Sequence, residues 1–375
     1  MILIKKILCF FCALCLVVPY CRTRALSVSA QAYVLYCPST SEVVASGNAT
    51  KRMSMASTTK IMTGLLLCES GDLDKTVAIK KEMVMVEGTS AGLRAGDVIS
   101  RKDLLYGLML ESGNDAANVI AYEIGGNKEN FAKLMNQKAA QIGMKNTNFI
   151  TPSGLDDEAH YTTAYDMALL AAYAMQNEDF KQAVGSKNYT AVYNDGNSTV
   201  TYYNHNRLLR SLDGCEGIKT GFTKKSGRCL VTSCMRDGLR LIAVTLNAPD
   251  DWNDHKQLYT YGFDCYQKTE LTYTLQSTIS VAGGEKQELA ITADAVEVYL
   301  NQGNTKNISY QIFLPSFVFA PVKKGDVLGQ IVFKYGDQIV ATAAIQSTED
   351  CASVKMIEKN YWDLLLEKLL LLLSL

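Results

Sequence analysis

Ala56-Ser57-Thr58-Thr59-Lys60-Ile61-Met62-Thr63 is the stretch from which the rest of the chain is best read. From Ala56 to Glu69, Ile61, Leu65 and Leu66 recur at helical spacing, so Ser57 and Lys60 fall at the start of a helix. Residues at i and i+3 share one helix face. A serine hydroxyl is a weak nucleophile until a base takes its proton. A free lysine, with a reference pKa of about 10.4, is charged at neutral pH and is not that base. Burial and a nearby cation lower its pKa, and the neutral amine then accepts a proton. N–H groups at a helix start also favour an oxyanion. Taken alone the pair is weak evidence, because Ser57 can equally be a helix cap.

Two further motifs give the pair a context. Leu110-Glu111-Ser112-Gly113-Asn114-Asp115-Ala116 lies in a helix-rich middle. There the Ser112 hydroxyl can relay a proton between Lys60 and a leaving amine, and the Asn114 amide can hold a peptide group. The bland reading is a turn that uses Gly and Asn for backbone freedom. Lys219-Thr220-Gly221 precedes a strand region. It offers a cation and a hydroxyl to a carboxylate, and a glycine that lets a substrate backbone approach. Lys219 is also a candidate for the cation beside Lys60. The alternative is a solvated strand end.

The chain of 375 residues is longer than a typical domain of about 100–200 residues, so two domains are expected. Residues 31–48 read as two short strands with a turn at Pro38-Ser39-Thr40-Ser41. Residues 100–185 are rich in strong helix formers. Asn146 to Gly154 reads as a loop broken by Pro152 and Gly154. Leu230-Val231-Thr232 and Leu241 to Leu246 read as strands joined at Arg236-Asp237-Gly238. Strands bracketing a helical middle imply an antiparallel sheet with helices packed on it, an α+β fold. After about residue 270, short strands punctuated by Gly283-Gly284, Gly303 and Gly325 indicate a small all-β domain. The expected domains are 31–268 and 271–350.

Both ends differ from this body. Lys5 and Lys6, an apolar run from Ile7 to Val18, and Val28-Ser29-Ala30 read as a secretory signal over residues 1–30. Ala25 is the alternative cleavage point, and an N-terminal anchor is the alternative role. At 353–375, if helical from Val354, an apolar stripe of Val354, Ile357, Tyr361, Leu364 and Leu365 opposes Lys355, Glu358, Lys359, Asp363 and Glu367. Glu367 and Lys368 interrupt the run, so an amphipathic helix on the membrane surface is expected rather than a crossing one. The alternative is a helix packed on the protein.

Without Lys5, Lys6, Arg22 and Arg24, the chain has 33 Lys and Arg against 38 Asp and Glu, a net of −5. Nucleic acid is therefore not an expected partner. Seven cysteines remain after residue 30, with no zinc-type spacing. They are expected as buried thiols, with a Cys215–Cys229 hairpin disulfide as the alternative. His160, His205 and His255 are too scattered for a metal site or a Ser–His pair, and Asp156-Asp157-Glu158 reads as a solvated loop.

The three motifs in this order resemble the SxxK, SxN and KTG set of penicillin-binding proteins and class A β-lactamases. Gly217-Ile218-Lys219-Thr220-Gly221-Phe222-Thr223, Ser153-Gly154-Leu155, Tyr161 to Ala168 and Asn206-Arg207-Leu208-Leu209 sharpen the likeness to low-molecular-mass D-alanyl-D-alanine carboxypeptidases. It spans about residues 31–350 and the tail. The resemblance implies Ser57 as acyl-ester nucleophile, Lys60 as general base and Ser112 as proton shuttle. It implies that Asn114, Lys219, Thr220 and Gly221 bind substrate, and that the Ser57 and Phe222 N–H groups form the oxyanion hole. The implied partners are peptidoglycan stem peptides and β-lactams, with no metal or other cofactor, on the outer face of the bacterial cytoplasmic membrane. A class A β-lactamase is the nearest rival, but residues 146–158 lack its Glu-x-x-Leu-Asn pattern. A transpeptidase and a non-catalytic β-lactam sensor are the others.

Overall fold

The computed structural model describes residues 26–354 and 361–373. Its centre is an antiparallel five-stranded sheet in the order Glu42–Gly47, Ala32–Cys37, Leu239–Leu246, Gly227–Arg236, Cys215–Thr223. Alternation along the strands assigns the two faces. Ala32, Val34, Tyr36, Ile242 and Val244 face the helices Lys60–Glu69, Arg101–Met109, Asn114–Gly125 and Ala164–Ala174. Leu35, Cys37, Leu241 and Ala243 face the other way, onto Leu258 and Tyr259 of the helix Asp251–Cys265. The helical middle and both bracketing strand regions therefore form as expected.

Two features depart from the expectation, while the cysteines follow it. Lys219-Thr220-Gly221 lies inside the strand Cys215–Thr223 rather than before one, because two glycines in nine residues hid the β pattern. A four-stranded accessory sheet joins Thr76–Ala78, Val98–Ser100, Asn188–Tyr193 and Ser198–Tyr203. Its first two strands have only three residues each, too few to show alternation. The hairpin register puts Cys229 opposite Gly221 and Cys215 opposite Cys234, which rules out the Cys215–Cys229 disulfide. Cys37, Cys68, Cys215, Cys229, Cys234 and Cys351 form no disulfide.

The helix Asp251–Cys265 runs directly into Tyr266–Leu271, which pairs with Val296–Asn301. A six-stranded sheet follows, with Leu289, Ile331, Phe333 and Ile345 in its core. Tyr266 and Tyr335 both donate to the Glu42 carboxylate, at 3.3 and 2.6 Å, and so tie this β-rich part to the first sheet.

The signal expected at residues 1–30 lies mostly outside the described residues. The tail helix spans Tyr361–Leu373 and does not start at Val354. There the Val354 N–H donates to Gly283 O at 2.9 Å, and Ser353 bridges to Gly284, so this stretch belongs to the β-rich part. Residues 355–360 of the expected tail lie outside the described residues. Among the described residues, no helix is long and apolar enough to cross a membrane.

Candidate active site

Ser57 sits on a 3₁₀ turn, Ala56–Thr59, that leads into the helix Lys60–Glu69. In a 3₁₀ turn residues i and i+3 eclipse, which places Ser57 and Lys60 side by side. The turn is wedged against neighbours. Ala56 has φ +46°, an unfavourable region for a residue with a Cβ, and is 1% exposed. Thr59 Oγ donates to Ala56 O at 2.8 Å and meets His160 Nε2 at 2.8 Å. His160 Nδ1 accepts the Ile150 N–H at 3.0 Å, so the ring is neutral with its proton on Nε2. Burial lowers the His160 pKa to about 4, which agrees. His160 is thus a strut behind the nucleophile, a role its isolated position in the sequence did not reveal.

Gly154 closes the other side of the turn. It has φ +86°, and a Cβ there would lie 1.9 Å from Ala56 O. Gly154→Ala is therefore expected to destabilise the fold by roughly 3 kcal/mol or more and to slow acylation of Ser57. Thermal unfolding and penicillin labelling check both effects.

Lys60 is 0% exposed. Its Nζ lies 2.8 Å from Asn114 Oδ1, 2.8 Å from Ser153 O and 3.0 Å from Ser57 Oγ. A neutral amine has two N–H groups and one lone pair. Asn114 Oδ1 and Ser153 O accept the two N–H groups, since neither atom can donate. The lone pair is then left for the Ser57 hydroxyl. Burial, aided by the charge of Lys219, holds the Lys60 pKa well below the ordinary lysine value, while Asp115 opposes the shift. Lys219 is also buried, and its pKa falls to about 7. Its Nζ donates to Thr220 O at 3.2 Å.

Ser112 occupies the break between the helices Arg101–Met109 and Asn114–Gly125, at φ +61°. Next to it, Asn114 and Asp115 anchor the loop 87–93. Asn114 Nδ2 donates to Glu87 O at 2.6 Å. Asp115 accepts the N–H groups of Ala91, Gly92 and Leu93 and the Ser90 hydroxyl at 2.6–3.0 Å.

Ser57, Ser112, Thr220, Gly221 and Phe222 line one open pocket of about 330 Å³. Lys60, Asn114 and Lys219 are buried and do not line it. Gly221 faces Ser57 closely, since a Cβ on it would lie 3.1 Å from the Ser57 nitrogen. The structure thus brings all three motifs together. It also adds Thr89, His205, Arg207, Arg228, Asp251 and Trp252, to which the sequence reading gave no role. Asn206-Arg207 was part of the resemblance without a function, whereas Arg228, Asp251 and Trp252 stood outside any recognised motif. The acidic loop is exposed, though Asp156 accepts from the Thr223 hydroxyl at 3.0 Å.

The comparisons agree with this geometry. The D-alanyl-D-alanine carboxypeptidase family profile matches residues 20–250, and that of the penicillin-binding protein 5 C-terminal domain matches residues 266–353. D-alanyl-D-alanine carboxypeptidase DacF of Bacillus subtilis is 31% identical over 343 residues, covering 88% of this chain and 87% of that one. The structure of penicillin-binding protein 5 from Haemophilus influenzae superposes with a TM-score of 0.63 at 28% identity, covering 87% of this chain and 98% of that one. A Streptomyces DD-transpeptidase superposes with a TM-score of 0.60 at 32% identity, covering 63% of this chain and 98% of that one. An SxxK serine beside a buried lysine, the two other motifs around one pocket and a matching second domain lead to one assignment: this chain belongs to the D-alanyl-D-alanine carboxypeptidase family of serine peptidases.

Proposed function

We propose that this enzyme removes the terminal D-alanine from peptidoglycan stem peptides through an acyl-enzyme at Ser57. The observation that carries this reading is the buried Lys60 Nζ, 2.8 Å from Asn114 Oδ1 and Ser153 O and 3.0 Å from Ser57 Oγ. Lys60 accepts the hydroxyl proton as Ser57 Oγ attacks the penultimate D-alanine carbonyl. The N–H groups of Ser57 and Phe222 receive the oxyanion. Ser112, on the pocket wall, passes the proton to the leaving D-alanine amine. Thr220 aligns the peptide, Asn114 holds the Lys60 amine in place, and water then releases the acyl group. Burial, aided by Lys219, keeps the amine of Lys60 neutral. β-Lactams acylate the same serine.

The test is a peptide ending in D-Ala-D-Ala. Release of D-alanine in water is expected. Hydrolysis of a β-lactam at a comparable rate, with no D-alanine released, would favour the β-lactamase reading instead. Likeness to a DD-transpeptidase keeps transfer to an amine as the second reading. Its mark would be a new peptide bond when an acceptor amine is added.

The same reading includes export, a catalytic domain followed by a β-rich one, and attachment at the membrane surface. Ser29 donates through its N–H and hydroxyl to the Asp254 carboxylate at 2.8 and 2.7 Å, and Asp254 is 2% exposed. Because Ser29 is tied into the fold, the signal is proposed to end at Ala25 rather than Ala30. The tail helix presents Trp362, Leu366, Leu369, Leu370 and Leu371 as exposed side chains, which suits lipid headgroup contact. Vesicle co-sedimentation that is lost on deleting residues 361–373 supports attachment, and unchanged binding refutes it.

A further inference from the structure

We propose that Phe317 and Phe319 form a second membrane contact, an aromatic tip of the β-rich part that enters the lipid surface beside the tail. This rests on the membrane-attachment reading above and adds to it a surface outside the tail helix.

The six-stranded sheet has two unlike ends. Tyr335, the last residue of the strand Val327–Tyr335, donates to Glu42 and marks the end tied to the first sheet. Val327 begins that strand, about 26 Å away at roughly 3.3 Å per residue. The register carries the Val327 end across the sheet. Val327 pairs with Gln346, and the next residue, Ser347, pairs with Ile291. The strands Glu288–Ala293 and Thr278–Ala282 extend outward from there, and Ala282 pairs with Phe319. The chain leaves by the same end. The Val354 N–H donates to Gly283 O at 2.9 Å, and Ser353 bridges to Gly284. The segment that leads to the tail helix and the strand Phe317–Phe319 therefore flank the same end of one strand.

Alternation on this three-residue strand turns Val318 toward the β-rich core and leaves both rings outside. Phe317 is 46% exposed and Phe319 73%, with their rings edge to face and centroids 5.2 Å apart. The strand is the edge of its sheet, and Phe313 and Val327 are also exposed at this end. Apolar side chains gathered in this way mark an interaction surface. The charges around them do not form a basic patch. Lys286, Lys323 and Lys324 stand among Glu285, Asp326, Glu349 and Asp350, and Lys286 is paired with Glu349. The contact is therefore apolar, as aromatic rings entering the headgroup boundary require, and does not depend on anionic lipid.

The experiment measures partitioning of the chain from residue 26 onward onto vesicles of phosphatidylcholine, with and without phosphatidylglycerol. It compares wild type, Phe317→Ser/Phe319→Ser, a chain lacking residues 361–373, and Ile339→Ser. Ile339 is 61% exposed but pairs with Lys334, next to Tyr335 at the other end, and serves as the control. The phenylalanine variant is expected to bind both vesicle types roughly 10- to 100-fold more weakly, with an unchanged melting temperature and unchanged acylation by a penicillin. Ile339→Ser is expected to bind as wild type does. Phe317→Trp/Phe319→Trp keeps the aromatic surface and is expected to retain binding. Full binding by the phenylalanine-to-serine variant overturns the proposal while tail attachment stands, and so does an equal loss in Ile339→Ser or in the tryptophan variant. A lipid-free dimer that the serine substitutions dissociate would assign the surface to a second copy and also overturn it. Unchanged binding without residues 361–373, with loss in the serine variant, refutes the role of the tail and not that of the tip.

Discussion

Ser57→Ala is expected to abolish covalent labelling by a penicillin and to cut D-alanine release by at least about 10⁴-fold. The pocket offers no substitute nucleophile in the same place. Ser112 lines it too, but the Lys60 amine contacts Ser57 Oγ at 3.0 Å and is otherwise committed to Asn114 and Ser153. The fold is expected to survive, because Ser57 is half-buried and its turn is held by Thr59, His160 and Gly154 rather than by its own hydroxyl. An unchanged melting temperature together with loss of the adduct is the predicted pair of results. A Ser57→Ala protein that still forms the adduct would move the nucleophile elsewhere.

Lys60→Met is expected to lower acylation by about 10³-fold or more, since it removes the base but leaves the hydroxyl and the oxyanion donors. The pH dependence identifies the mechanism. The Lys60 pKa is depressed, so the neutral fraction and the acylation rate rise with pH through that lowered value. The same shift has a sign in stability. Below 10.5 the unfolded lysine binds a proton that the folded one gives up, so stability rises with pH across the window from the lowered pKa to 10.5. For Lys219 that window opens at about 7. The wild type is therefore expected to gain melting temperature between pH 7 and pH 9.5, and Lys60→Met to gain less. Double replacement of Ser57 and Lys60 is expected to cost little more than Ser57→Ala alone, because the two act as a unit.

The legible parts of the sequence were those with strong local patterns. Ile61, Leu65 and Leu66 announced the nucleophile helix, and the β-branched run Leu241–Leu246 announced a sheet strand. The three motifs gave the site its members but not its geometry. No residue type signals that the Ser153 carbonyl would hold the base, since every residue has a carbonyl. His160 was dismissed because a histidine that braces Thr59 from 101 residues away carries no local signal. Arg228, Asp251 and Trp252 meet only because a hairpin and a helix start converge, which a linear reading does not show. The strand Cys215–Thr223 was misplaced for a related reason. Gly221 breaks its pattern because the Ser57 and Thr58 nitrogens lie where a side chain would go.

The central claim is that a buried, uncharged Lys60 makes Ser57 reactive. The direct measurement is the rate of acylation by a penicillin from pH 5 to pH 9, with the adduct located by peptide mass spectrometry. A single adduct on Ser57 is expected, formed rapidly wherever the pH lies above the lowered Lys60 pKa and slowed about 10³-fold or more at every pH in Lys60→Met. An adduct on another residue, or a Lys60→Met protein acylated as fast as the wild type, would contradict it.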